Sequence, residues 1–180
     1  MPVYASLPNL ITLARLGLVP VVIAMISAGN WQGACILFIL AGVSDAVDGW
    51  LAKSFNLRTE LGAYLDPLAD KALLVSIYVA LAVVGALPST LAIVVVARDF
   101  MIIGAFMISW VMGKPIKIRP LLISKINTVA QIAFAAAVLG AKAFQFTLGP
   151  WFTLTAYGVA ALTLASLAAY LASWSRHMSL

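Results

Sequence analysis

At 180 residues, 64% hydrophobic and 9% charged, with a mean hydropathy of +1.08, the chain is too apolar for a soluble globular domain. The net charge of +5 would suit nucleic acid, but most of the basic residues sit in the connections between apolar segments, where anionic lipid attracts them, so nucleic acid is excluded as a partner. A lone cysteine, Cys35, in an apolar run rules out an intrachain disulfide and speaks against a thiolate metal site, leaving a small buried hydrophobe.

A membrane span takes about 20 apolar residues to cross about 30 Å of hydrocarbon. Short polar or Gly/Pro-containing breaks then divide residues 1–180 into six helices of one all-α integral membrane domain. The first runs from Leu10 to Ser27, kinked at Pro20. No basic stretch precedes it, so it is expected to be a retained span rather than a signal peptide. The second covers Gln32 to Ala52. The third, Glu60 to Leu87, would be about 42 Å long and so project beyond the hydrocarbon. The fourth, Ser89 to Met112, follows Pro88; the fifth, Leu121 to Ala141, follows Pro120; and the sixth, Trp151 to Trp174, follows Pro150, each proline standing where a helix begins. In the sixth, Ala161, Ala165, Ala169 and Ser173 recur every four residues, a stripe suited either to packing within the chain or to a dimer seam.

If the helices alternate across a membrane, Lys53, Arg58, Lys114, Lys117, Arg119 and Arg176 fall on one side and Lys142 on the other. The excess of Lys and Arg marks the cytoplasmic side, so both termini are expected to be cytoplasmic. Trp31, Trp50, Trp110, Trp151 and Trp174 lie near helix ends, where an indole suits the headgroup layer.

Six residues are acidic, and four of them are the aspartates at 45, 48, 66 and 70. Carboxylates near lipid are costly and are retained mainly where they face a bundle interior and meet a partner. Asp45 and Asp48 are three apart, Asp66 and Asp70 four apart, so each pair projects from one face of its helix. Gly49 and Gly62 flank the group and leave room for a ligand. Four oxygen donors without a nearby His or Cys suit Mg²⁺ or Mn²⁺ rather than zinc. Two such ions would clamp a pyrophosphate and stabilise an in-line displacement. The alternative from spacing alone is a set of carboxylates paired with Lys53, Arg58 and Lys71.

Written out, the stretch is DAVDGWLAK from Asp45, eight residues, then GAYLDPLAD ending at Asp70. It resembles the signature of the CDP-alcohol phosphotransferase family, D-x2-D-G-x2-A-R-x8-G-x3-D-x3-D. The single departure is Lys53 for arginine, which exchanges a planar fork for a point charge. The resemblance extends to the early PNLITLARLGLVP and to IRPLLISKINTVAQ, most like the CMP-forming cardiolipin synthases. Phosphatidylglycerophosphate synthases usually carry a Gly-Lys-x-Lys-Thr version of the later segment, and Asn127 stands where the second lysine would be.

The resemblance implies a six-helix fold, usually dimeric, with a polar cavity open to the cytoplasm, expected here in a bacterial inner membrane. It implies metal ligation by Asp45, Asp48, Asp66 and Asp70, with Asp70 also the base for the acceptor hydroxyl. Gly49, Ala52, Lys53 and Gly62 would line the site of a CDP-diacylglycerol donor, whose phosphatidyl group passes to a lipid or polyol-phosphate acceptor as CMP leaves. The preferred acceptor is phosphatidylglycerol, a singly charged diester; glycerol 3-phosphate, more highly charged, is the alternative.

Elsewhere Ser124, Asn127, Thr128 and Gln131 share one face of the fifth helix, with Lys125 at its edge, as a cavity wall or as interhelical hydrogen bonding. Arg98 with Asp99, and Arg15 with Asn9 and Thr12, are further polar groups in apolar surroundings. Arg98, Lys125 and Arg119 are the expected acceptor ligands; His177 is assigned no chemistry. A cation channel or transporter is the competing class, but it would place carboxylates along a path near the midplane rather than at one face.

Overall fold

In the computed structural model the described residues are 7–54, 60–112 and 122–178, with the side chains of 7–12, 46, 48–54, 60–70, 106, 110 and 177–178 outside that description. They form six helices and no strand: α1 Leu7–Ser27, α2 Trp31–Ser54, α3 Glu60–Val83, α4 Ser89–Val111, α5 Leu122–Ala143 and α6 Pro150–Met178. Their number and order are those read from the sequence.

The ends differ where backbone capping decides them. Gly29 follows α1 with φ 73°; its N–H donates to the Ile26 carbonyl at 3.1 Å and that of Asn30 to Met25 at 2.9 Å. This pair of bonds around a left-handed residue closes the helix and satisfies carbonyls that would otherwise be orphaned. Asn30 then starts α2: its Oδ1 accepts from the Gly33 N–H at 3.1 Å and its carbonyl from Ala34 at 3.0 Å. Gly85, φ 70°, repeats the motif after α3, with Ala86 donating to Leu81 and Gly85 to Ala82. The third helix therefore stops at Val83, not Leu87, and its 24 residues span about 36 Å rather than 42 Å. After α5 the left-handed position is held by Gln145, φ 56°, beside the Phe146 to Ala141 bond at 3.0 Å. Helix α1 runs unbroken through Pro20, and α6 extends beyond Trp174.

The chain divides into two compact units. In the first, residues 1–86 with 136–146, α1 packs against both α2 and α3. Val22, Ile26, Phe38, Leu74, Ile77, Tyr78, Leu81 and Leu139 are buried there, as is Cys35, the small hydrophobe expected. The Lys142 ammonium lies over the Trp31 ring, 5.7 Å from its centroid. In the second unit, residues 87–135 with 147–180, α4 packs against α6. The rings of Phe134 and Phe152 stack with centroids 5.8 Å apart. Of the alanine stripe, Ala161, Ala165 and Ser173 are exposed and Ala169 half-buried.

Ser89–Ser109, Leu122–Ala143 and Pro150–Arg176 are long and apolar enough to cross a membrane. Along α4 the outward residues are Ile93, Phe100, Met107 and Val111, each at least half exposed, which is costly against water and natural against lipid.

Candidate functional site

Asp45 and Asp48 lie in the last three turns of α2, Asp66 and Asp70 in the first three of α3. Ser54 and Glu60 are separated by only five residues, a distance of at most about 23 Å. The chain thus brings the carboxylate-bearing ends of two helices to the same end of the first unit, in which α1 packs against both helices. Of the four aspartates only the Asp45 side chain is among those described; Asp48, Asp66 and Asp70, with Gly49, Ala52, Lys53 and Gly62, have helical backbone, their side chains lying outside the described set. Among the described residues no three acidic, His or Cys side chains converge.

Asp45 has a partner that the sequence reading did not give it. Arg15 of α1 donates from Nη1 to Asp45 Oδ1 at 2.6 Å. The arginine side chain is 2% exposed and that of Asp45 44%. A carboxylate with one oxygen held from the protein side and nearly half its surface open retains the donor capacity that a hard cation requires, so it fits the ligand role.

The second polar group lies in the second unit. Arg98, 3% exposed, donates from Nη1 to Asp99 Oδ1 at 2.6 Å, and from Nη2 to Ser124 Oγ and, at 2.9 Å, to Ser166 Oγ. Its guanidinium carbon is 5.8 Å from the centre of the Tyr170 ring. Lys125 is exposed, and Arg119 lies outside the described residues.

The stripe on α5 resolves into hydrogen bonds between helices. Gln131 Nε2 donates to Thr163 Oγ1 at 3.1 Å, and that hydroxyl faces Asn127 Oδ1 at 2.9 Å and the Val159 carbonyl at 2.7 Å. Asn127 and Gln131 are 0% and 1% exposed, so of the two alternatives they serve interhelical hydrogen bonding rather than a cavity wall. Thr163, Ser166 and Tyr170, spaced three and four along α6, were the overlooked signal: a polar stripe complementary to that on α5. Trp174 Nε1 donates to Ser109 Oγ at 2.9 Å, which gives this indole a partner within the unit in addition to its place near a helix end.

The sequence profile of the CDP-alcohol phosphatidyltransferase family matches residues 5–172. The chain belongs to this family. Its apolar helices agree with the integral membrane character of CDP-alcohol phosphatidyltransferases. The chain is 33% identical over 157 residues to the human "Cardiolipin synthase (CMP-forming)", a match covering 78% of this chain and 52% of the relative. It therefore spans about half the length of that relative and of its rat counterpart. It is 34% identical over 149 residues to the Bacillus subtilis (strain 168) "CDP-diacylglycerol--glycerol-3-phosphate 3-phosphatidyltransferase", covering 74% of this chain and 76% of that one. It is 36% identical over 101 residues to a "Probable phosphatidylglycerophosphate synthase" of Mycobacterium tuberculosis (strain ATCC 25618 / H37Rv), covering 53% and 48%.

Proposed function

We propose that this CDP-alcohol phosphatidyltransferase moves the phosphatidyl group of CDP-diacylglycerol to the free hydroxyl of phosphatidylglycerol, forming cardiolipin and releasing CMP. The observation that carries the reaction class is the aspartate signature from Asp45 to Asp70 within a match of 5–172. That match runs through both compact units, which supports treating residues 1–180 as one catalytic domain.

Asp45, Asp48, Asp66 and Asp70 would hold two Mg²⁺ or Mn²⁺ ions, which when bound neutralise the pyrophosphate and polarise the reacting phosphorus. Gly49, Ala52 and Gly62 allow the CDP group to approach backbone closely, and Lys53 places a positive charge beside its phosphates. Asp70 takes the proton of the acceptor hydroxyl, whose oxygen forms the new bond to phosphorus as the bond to the CMP oxygen breaks. Arg98, Lys125 and Arg119 bind the acceptor phosphate. For Arg98 this means exchanging the neutral serine hydroxyls for an anion, which adds the attraction between two full charges to hydrogen bonds whose donor is already cationic.

All six helices would cross the membrane with both termini and the aspartates on the cytoplasmic side, the side carrying most Lys and Arg. A bacterial inner membrane and a homodimer complete the reading.

Glycerol 3-phosphate is the second reading, favoured by the Bacillus relative that matches three quarters of both chains. The test is product analysis of the purified enzyme given labelled CDP-diacylglycerol and equal concentrations of both acceptors. A four-chain lipid as the main product supports cardiolipin synthesis. Predominant phosphatidylglycerophosphate refutes that choice and leaves the family unchanged.

A further inference from the structure

The Arg15–Asp45 pair is buried unequally: the guanidinium side chain is 2% exposed while the carboxylate keeps 44%. A short charge-assisted bond of 2.6 Å to Oδ1 holds the carboxylate from its buried side while 44% of that side chain stays open, an arrangement suited to positioning. We propose that Arg15 is a positioning residue for cation binding: it holds Asp45, on the neighbouring helix α2, in the orientation from which that aspartate ligates a divalent metal. This deepens, and rests on, the reading of Asp45 as a metal ligand.

Arg15 lies 30 residues before Asp45 on a separate helix, so the two meet only when α1 has packed on α2. The carboxylate geometry is in this way tied to the fold of the whole first unit. The sign of the effect separates positioning from simple charge. Deleting a cation beside a metal site removes repulsion and, on Coulomb grounds alone, tightens metal binding. Deleting a partner that orients a ligand weakens it, commonly about 10- to 100-fold.

The experiment is Mn²⁺ titration of detergent-purified protein without substrate, followed by electron paramagnetic resonance, with helicity and thermal unfolding measured metal-free. Arg15→Met keeps the apolar bulk of the side chain and is expected to fold, and to bind Mn²⁺ about 10- to 100-fold more weakly. Arg15→Gln, which keeps a neutral donor, should lose less, and Arg15→Lys, which keeps a cationic donor, should recover part of the loss. Folded Met and Gln variants that bind Mn²⁺ as tightly as wild type or more so, while Asp45→Asn binds weakly, overturn the positioning role and leave Asp45 a ligand. If Asp45→Asn itself binds like wild type, the ligand reading falls and the positioning role with it. Failure of both Arg15→Met and Arg15→Gln to fold would make the pair a structural one and equally overturn the proposal.

Discussion

Replacing Arg98 by methionine should destabilise the second unit by about 3–5 kcal/mol, the usual cost of breaking a buried ion pair by removing one partner. The geometry places the change in that range. The guanidinium is 3% exposed and its two terminal nitrogens contact Asp99, Ser124 and Ser166, so its loss deprives one buried carboxylate and two hydroxyls of a donor at once. Each hydrogen bond to a charged group contributes about 1.5–3 kcal/mol, and bonds that share one donor group do not add fully. For a chain of this size the shift corresponds to roughly 2–4 °C per kcal/mol, or about 6–20 °C in Tm. The assay is thermal unfolding in detergent followed by circular dichroism, with Arg98→Met, Asp99→Asn and the double variant forming a cycle. The double variant should be less unstable than the two single costs added, by at least about 1 kcal/mol, because no carboxylate is left without the guanidinium. An Arg98→Met protein within about 1 kcal/mol of wild type would refute the reasoning.

Asn30→Ala removes the side-chain acceptor at the start of α2 and should cost about 1 kcal/mol in the same assay; an unchanged Tm would mean that water replaces the cap fully. Gln145→Gly should stabilise by up to about 1 kcal/mol, since φ 56° is strained for a side chain and free for glycine, and a fall in Tm would show that the glutamine side chain makes up the difference. Asp45→Asn, Asp48→Asn and Asp66→Asn should each abolish metal-dependent CMP release at limiting Mg²⁺ while retaining helicity; wild-type turnover in any of them would remove that residue from the ligand set. Asp70→Asn should slow turnover by about 10² to 10⁴-fold with donor binding better preserved, and loss of donor binding as complete as in Asp48→Asn would make Asp70 purely a ligand.

Local chemistry made much of this molecule legible. Six apolar segments separated by Pro, Gly and charged residues give six helices, and the three-and-four spacing of the aspartates puts each pair on one helical face whatever the rest of the fold does. Helix ends were read less well, because a glycine can continue a helix or close it. Gly85 lies within the apolar run that suggested a helix to Leu87, and only the two bonds from Gly85 and Ala86 back to Ala82 and Leu81 show which occurs. Long-range pairing was harder still. Arg15 was grouped with Asn9 and Thr12, its neighbours along α1, whereas its carboxylate partner comes from α2, 30 residues on. Sequence spacing specifies which residues share a face, but not which face meets it.

Asn127 brings the acceptor question and the fold together. In the resemblance it takes the place of a second lysine of the phosphatidylglycerophosphate synthases, so its environment bears on how this chain manages without that charge. The residue is 0% exposed, and its Oδ1 faces the Thr163 hydroxyl at 2.9 Å, beside Gln131. A lysine there would carry an ammonium into a space occupied by a neutral hydrogen-bonded group, and in a membrane helix such a charge needs a partner or a route to water. In this chain the position ties α5 to α6. Asn127→Lys would therefore disturb the helix pair before it built an anion site. An Asn127→Lys protein that keeps wild-type thermal stability would refute this coupling between the position and the helix pair.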